Sequence, residues 1–593
     1  MSRFRGRLIP RFLVLSKPYL VSDEKWRARG LLTLLLVLML ANTAATVLLN
    51  QQAGEFSSAL AARESDRYWR SIYFTIGLVV IAVPVYGFYY YVRDKLTIYW
   101  RRWMTTHYLE QYFNNTAYYK LAFAADIDNP DQRIAEDINS FTRQSIYFLL
   151  IFTEMLLQLL AFCGVLWSIS HGLVFFILVY AVSGTLITVF LFGRPLVGLN
   201  FFQLRREADF RFSLVRIREN AESIAFYRGE ERESKYVGNR FTEVFANFNR
   251  LVNWQLFLNL FEYTYKSATL IIPGVLLAPQ VMSGDLEIGS VVQATGAFAA
   301  IFAALNVVVD KFDNLSLFAA GVNRLDRFAK ALDAASTPPT DDRERIQTVE
   351  EQRVALEQLS LNTPDYKRKL VTDLSMELEA GGGLLIVGAS GGGKSSLLRA
   401  VAGLWNAGSG SVIRPPLEEM LFLPQRSYMI IGSLRDQLLY PDNKKNVTDE
   451  EFQQILERVN LPHLIERCGG LDVEADWSKT LSLGEQQRLA FARVLLTEKE
   501  YVILDEATSA LDEKNEAELY AALQETGTTV ISVSHRPHVA KYHSHVLVLI
   551  DSDAWQLQTA VEYAAESSLE PAVEVQYAAV DPGGIKDVQT QNH

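Results

Sequence analysis

Six apolar stretches, at residues 31–49, 73–91, 146–167, 173–192, 256–277 and 288–309, each approach the roughly 20 residues that a helix needs to cross a bilayer. All six lie in the first part of a 593-residue chain, and very little charge interrupts them. Buried helices of a large soluble protein are the competing explanation, but six such runs in succession leave little room for it. The expectation is a polytopic α-helical membrane domain with six transmembrane helices. The first run starts too late and is too long to be a cleavable signal peptide. Averaged over the chain, 49% hydrophobic against 21% charged residues excludes disordered, collagen-like and disulfide-framework proteins. A formal net charge of −11 argues against a general nucleic-acid binder. The two cysteines, Cys163 and Cys468, are far apart, as in a chain that faces a reducing cytosol or makes no use of disulfides.

Lysine and arginine placement sets the expected orientation. Ahead of the first run stand Arg3, Arg5, Arg7, Arg11, Lys17, Lys25, Arg27 and Arg29, against only Asp23 and Glu24. The short connection at 168–172 carries no formal charge, and the one around Asp285 and Glu287 is purely acidic. With the basic side in the cytoplasm, both termini are cytoplasmic, and so are the long polar segments at about 94–143 and 194–252. Those segments keep a helical apolar period, which predicts spans that continue as helices well beyond the bilayer and turn back.

Past residue 330 the texture changes. A polar stretch with Pro338 and Pro339 reads as a linker, and then short β-rich runs alternate with helical ones, the pattern of a parallel-sheet α/β domain. The apolar strand 384–387 feeds directly into Gly388, Ala389, Ser390, Gly391, Gly392, Gly393, Lys394 and Ser395, followed by Ser396. G-x-x-x-x-G-K-S between a strand and a helix is a P-loop. Its glycines let backbone N–H groups approach phosphates at a helix N-terminus; Lys394 reaches the β- and γ-phosphates, and the Ser395 hydroxyl ligates Mg²⁺. A second apolar strand, 501–504, ends in Asp505 and Glu506. The aspartate suits a metal held through its water shell, and the glutamate suits a general base for an attacking water. A third strand, 529–533, is followed by Ser534 and His535, which puts an imidazole at the same sheet edge.

Between the P-loop and the acidic strand lies Leu481–Ser482–Leu483–Gly484–Glu485–Gln486–Gln487–Arg488, opening a helical run. Serine and glycine at a helix start make a second anion site. One chain then has two phosphate-binding helix ends but one P-loop. Two chains set head to tail would use both, each nucleotide lying between the P-loop of one and the serine helix of the other.

This ordered set resembles the ATP-binding cassette transporters. The resemblance implies that Gln425 senses the γ-phosphate and Mg²⁺, that His535 contacts the γ-phosphate, and that Asp512 lies at the dimer seam. ATP and Mg²⁺ are the implied cofactors, with Ser395, Gln425 and Asp505 at the metal, Glu506, His535 and Lys394 as the catalytic set, and Ser482, Gly484 and Glu485 at the phosphates. Two departures stand out. The family's L-S-G-G-Q has Leu483 third and Glu485 fifth here, so the leucine side chain must point away. The aromatic that usually stacks on adenine is missing from Asn362 and Thr363, leaving Tyr366 as the substitute. Asn129 to Asp137, Glu222 to Glu230, Gly432 to Leu438 and Asp476–Trp477 further resemble subfamily D transporters and their bacterial SbmA/BacA-like relatives. That likeness implies a homodimeric half-transporter whose six-helix membrane domain has the type IV exporter-like fold and is fused to the P-loop domain.

The expected layout is a basic segment at 1–30, a membrane domain at 31–330, a linker at 331–349, a nucleotide-binding domain at 350–555 and an acidic tail at 556–593. Inside the spans, Glu262 and Lys266 are four apart, as are Glu154 and Gln158, and Gln293 sits in the last run. Ionisable groups in a bilayer usually face a partner or a watery cavity, so Glu154, Glu262, Lys266 and Gln293 are the candidate cargo contacts. The expected activity is ATP-driven transport of a polar organic solute, with cobalamin or a hydrophilic peptide first. A fatty-acid, acyl-CoA or lipid translocator is the second reading, and a nucleotide sensor that does not pump is the third. A bacterial inner membrane is the expected location, since no organelle-targeting segment is evident. A second copy of the chain, the lipid bilayer and a small organic or peptide cargo are the expected partners.

Overall fold

The computed structural model describes residues 8–123, 129–336, 344–389, 391–441, 446–551 and 554–569. Ser390, part of the expected linker and most of the expected acidic tail lie outside them. The chain divides into two compact units, 1–340 and 341–593.

The first unit is helical. Among the described residues five helices are long and apolar enough to cross a membrane: Lys25–Ala62, Ser65–Ala122, Pro130–Ile169, His171–Gly193 and Ile288–Val307. The remaining expected span, 256–277, is helical within Glu230–Met282, but Asn259, Glu262 and Lys266 dilute its apolar run below the same measure. Large apolar side chains such as Ile81, Val179 and Leu270 stay exposed on these helices, as lipid-facing surfaces require. Polar segments do continue the helices: Ser65–Phe113 runs for 49 residues and Glu230–Met282 for 53.

Small residues bring two of the helices together. A β-carbon at Gly54 would come within 2.8 Å of the Gly289 carbonyl oxygen, so only glycine allows this approach. There the Gly289 N–H donates to Ser58 Oγ at 3.0 Å, and Asn50 Nδ2 donates to the Gln293 carbonyl at 3.1 Å. Elsewhere an N-terminal helix, Leu8–Val21, buries Leu15 and Tyr19, with Tyr19 stacked on Trp100 at 5.7 Å between ring centres. The stretch Asn129 to Asp137 turns into helix at Pro130–Gln132 and continues as one turn of π-helix at Arg133–Asp137. Its last residue, Asp137, is buried and accepts from Arg133 at 2.6 Å and from Arg324 at 2.6 and 3.0 Å. Arg324 belongs to the helix Phe312–Ser336, so one carboxylate joins two helices far apart in sequence.

The second unit is α/β. Strands β1 (Gln347–Glu350), β2 (Val354–Asn362), β3 (Lys369–Leu378) and β5 (Gly408–Arg414) form a four-stranded sheet in the order β1-β5-β2-β3. Strands β4 (Gly383–Gly388), β6 (Met420–Leu423), β9 (Tyr501–Asp505), β10 (Thr529–Val533), β11 (His545–Asp551) and β12 (Ala554–Thr559) form a six-stranded sheet, and β7 (Ile431–Ser433) pairs with β8 (Glu474–Asp476) apart from it. The order in the six-stranded sheet is β12-β11-β4-β10-β9-β6. All its pairings are parallel except β11 with β12. Strands covered on both faces are apolar nearly throughout: Leu384–Val387 and Val502–Leu504 read as unbroken hydrophobic runs, and in Val530–Val533 only Ser532 interrupts, hydrogen-bonded to His543. Because β4, β10 and β9 are neighbours and parallel, the residues that follow them emerge at one edge of the sheet.

Candidate nucleotide site

That edge gathers the loops after β4, β9 and β10. Gly388 has φ of 149°, and a β-carbon there would collide with the carbonyl of Leu549 on the adjacent β11, so the tight exit from β4 needs glycine. The loop turns through Gly391 and Gly393, both with positive φ, and enters the helix Lys394–Val401. Lys394 curls back over the loop, donating from Nζ to the carbonyls of Gly388 at 2.8 Å and Ala389 at 2.9 Å. Burial pushes its amine below the ordinary lysine range, against the opposing pull of Glu506 and Asp505. Ser395 Oγ donates to Asp505 Oδ1 at 3.1 Å, which links the P-loop helix to the end of β9. Burial raises the Asp505 carboxyl, and neighbouring Glu506 adds to the rise. Ser396 follows in the first turn of the same helix.

Glu506 is the next residue and has a left-handed backbone, φ 49°, with its N–H bonded to the Val533 carbonyl at the end of β10. Its two carboxylate oxygens are used separately. Oε2 accepts from Gln425 Nε2 at 2.7 Å, and Oε1 lies 3.2 Å from His535 Nε2. The expected base, the expected sensor glutamine and the expected histidine are therefore one contiguous group, although 110 residues of chain separate Gln425 from His535.

Ser482 caps the helix Leu483–Thr497 with a reciprocal capping box: its Oγ accepts from the Glu485 N–H, and its own N–H donates to the Glu485 carboxylate at 2.9 Å. Burial opposes the charge on Glu485, yet the bond from Arg467 Nη1 at 2.6 Å, together with Ser482, holds its carboxyl below the usual range. Leu483 is 49% exposed. A β-carbon at Gly484 would lie 3.3 Å from the Ala510 carbonyl, so glycine keeps this helix end close against the loop after Glu506. Asp512 caps the helix Glu513–Glu525, accepting from the Asn515 N–H at 2.8 Å. Tyr366, offered as the adenine-stacking residue, has its hydroxyl bonded to the Glu344 carbonyl at 2.9 Å.

Several residues that hold these loops escape motif reading. Gln487 donates to Ser509 Oγ at 3.2 Å and to the Gln425 carbonyl at 3.4 Å, while its Oε1 accepts from the Ala510 N–H at 3.0 Å. Arg493, on the same helix, is buried and donates to the carbonyls of Gln437 at 2.6 Å and Tyr428 at 2.7 Å; burial pushes it down to about 10. The only signal for Gln487 was its place in the helix that Ser482 opens. Among the cargo candidates, Glu262 and Lys266 line one cavity of about 360 Å³, with Asn259, Thr269, Phe302 and Asn306. Glu154 and Gln293 do not line it. Glu154 accepts from Gln158 at 3.2 Å instead, and Gln293 packs beside Gly54.

Comparison with known proteins agrees with both units. Residues 15–282 match the family described as ABC transporter transmembrane region 2, and residues 371–509 match the ABC transporter family. The chain is 44% identical to an uncharacterised ABC transporter ATP-binding protein of Synechocystis, over 90% of this chain and 82% of that one. It is 36% identical to ABC transporter D family member 2, chloroplastic, of Arabidopsis thaliana, over 92% of this chain and 86% of that one. It is also 32% identical to the lysosomal cobalamin transporter ABCD4 of Homo sapiens, over 93% of this chain and 96% of that one. This chain belongs to the ABC transporter family, with the family's membrane region and its ATP-binding domain in one polypeptide and a D-family ABC transporter among its relatives.

Proposed function

We propose that two copies of this chain form an ATP-driven transporter that moves a polar organic solute, with cobalamin or a hydrophilic peptide as the first candidates. The observation that carries the ATPase reading is the shared carboxylate of Glu506, held between Gln425 and His535 beside a P-loop. A carboxylate fixed on both oxygens can orient a water and take its proton as that water attacks. Lys394 and the glycine loop would neutralise and seat the phosphates. Ser395, Asp505 and Gln425 offer hydroxyl, carboxylate and amide oxygens, the hard donors that Mg²⁺ prefers, and Asp505 is a partly buried carboxylate beside the Ser395 hydroxyl. Mg²⁺ bound there would supply charge neutralisation on the β- and γ-phosphates. The sequence carries one P-loop and, apart from it, the helix N-terminus at Ser482, and a second copy set head to tail would bring one of each together.

The polar-cargo reading rests on Glu262 and Lys266 at one cavity of the helical unit, and on the likeness to a relative named as a cobalamin transporter. In this reading the domain limits are those given by the sequence, six spans cross the membrane, both termini are cytoplasmic, and the setting is a bacterial inner membrane. The test is reconstitution into proteoliposomes with cobalamin, a hydrophilic peptide and an acyl-CoA offered in turn. Cobalamin or the peptide should stimulate ATP hydrolysis and accumulate across the bilayer, and Glu262→Gln should cut that accumulation at least fivefold. Stimulation by acyl-CoA alone would move the assignment to lipid transport. The absence of any vanadate-sensitive hydrolysis would leave a nucleotide sensor.

A further inference from the structure

Glu516 belongs to none of the nucleotide-binding motifs, yet its side chain is completely buried, on the helix Glu513–Glu525. A carboxylate in that position persists only when its lone pairs are met by strong donors. Its Oε1 accepts from Thr508 Oγ1 at 2.5 Å. Its Oε2 is met by Arg536 Nη1 at 2.9 Å and His538 Nε2 at 2.8 Å. Thr508 is two residues beyond Glu506, and Arg536 is next to His535. One carboxylate therefore clamps the loop that carries the glutamate to the loop that carries the histidine. Arg536 strengthens the clamp from its other side, donating to the carbonyls of Leu511 at 2.9 Å and Ser509 at 3.2 Å. Gln487 then ties Ser509 and Ala510 to the helix capped by Ser482, so the network reaches that helix as well.

We propose that Glu516, acting through Arg536, is a positioning residue for ATP hydrolysis: it fixes the separation of Glu506 and His535 without touching nucleotide. The proposal rests on the reading that Glu506 and His535 serve hydrolysis. A small misplacement of reacting groups costs rate far more than binding, so the effect belongs in kcat. Glu516→Gln preserves shape but turns one acceptor into an NH₂ group facing donors, and removes the charge that Arg536 pairs with.

The experiment uses the full-length protein in lipid nanodiscs, comparing Glu516→Gln, Glu516→Asp, Arg536→Gln and the double variant Glu516→Gln/Arg536→Gln. Readouts are the steady-state kcat and KM for ATP, binding of a fluorescent ATP analogue, and the melting temperature. Glu516→Gln and Arg536→Gln should each lower kcat at least tenfold, with KM and analogue binding within twofold of the parent. The double variant should be no worse than the worse single one, because both break the same clamp. Glu516→Asp should recover part of kcat. An unchanged kcat in Glu516→Gln overturns the proposal, as does a kcat loss matched by lost binding, or losses that multiply in the double variant. Should Glu516→Gln fail to fold, Arg536→Gln decides alone, since Arg536 is partly exposed and its removal leaves Glu516 bonded to Thr508 and His538. Glu506→Gln is run alongside: if it hydrolyses ATP like the parent, the catalytic reading fails separately from the clamp.

Discussion

Gln425 Nε2 donates to the Glu506 carboxylate at 2.7 Å, and that bond closes a loop-to-loop contact across 81 residues of sequence. With His535 on the second oxygen, the carboxylate has little rotational freedom left. Replacing Glu506 by glutamine keeps the shape and removes the basicity. Glu506→Gln should therefore lower ATP hydrolysis by about 10²–10⁴-fold while nucleotide binding survives, as phosphate release and equilibrium binding would register.

Lys394 Nζ bonds the two carbonyls that open the P-loop, so its ammonium is held over that loop, and in the proposed reading it is there to meet phosphate oxygens. Lys394→Ala should weaken ATP binding at least tenfold, roughly 1.4 kcal/mol or more. Lys394→Arg should not restore it, since the planar guanidinium cannot occupy the same point-charge position. Titration with a fluorescent ATP analogue measures both.

In the helical unit, the buried carboxylate of Asp137 depends on Arg324 for two of its three hydrogen bonds. Arg324→Ala should destabilise the protein by about 2 kcal/mol, the scale of lost hydrogen bonds to a charged group. Arg324→Lys should recover part of that. Thermal unfolding in detergent is the readout, and equal melting of parent and alanine variant would contradict it.

His543 is buried with Nδ1 3.0 Å from the Val539 carbonyl, so that nitrogen carries the proton, and Nε2 accepts from Ser532 Oγ at 2.8 Å. Burial lowers it to about 4 from the ordinary 6.5. A depressed histidine is neutral in the fold and charged in the unfolded chain between those values, so the unfolded chain binds more protons there. Its contribution, about 3 kcal/mol at most, is complete above pH 6.5, falls as the pH drops, and is gone below about 4. Melting temperature against pH should show that slope, and His543→Gln should flatten it.

Much of the nucleotide site was legible because its chemistry is local. A glycine loop between a strand and a helix, an acidic pair ending a strand and a serine opening a helix are each defined by adjacent residues, and the parallel sheet did the rest by bringing three strand ends to one edge. Glu516, Gln487 and Arg493 were not legible, because each is an ordinary polar residue on a helix until tertiary packing supplies its partners. The same limit applied in the membrane region. Glu262 and Lys266 follow from i,i+4 spacing and do share a cavity; Glu154 and Gln158 have the same spacing but bond to each other away from it, and Gln293, chosen on polarity, packs beside Gly54. Asp137 could be quoted as part of a motif, but nothing near it in sequence announced Arg324.

At 49 and 53 residues, the Ser65–Phe113 and Glu230–Met282 helices are about 73 and 80 Å long. A bilayer core is roughly 30 Å thick, so each rod is more than twice as long as that thickness. Proline breaks the backbone ladder only at Pro84 in the first and at Pro273 and Pro279 in the second, all near their apolar stretches, so the polar part of each rod is a stiff lever: a few degrees of tilt at one end become several ångströms of travel at the other. The displacement needs no hinge, and it depends only weakly on the side chains along the way. A glycine pair placed midway would turn the lever into a joint, and motion would stop there.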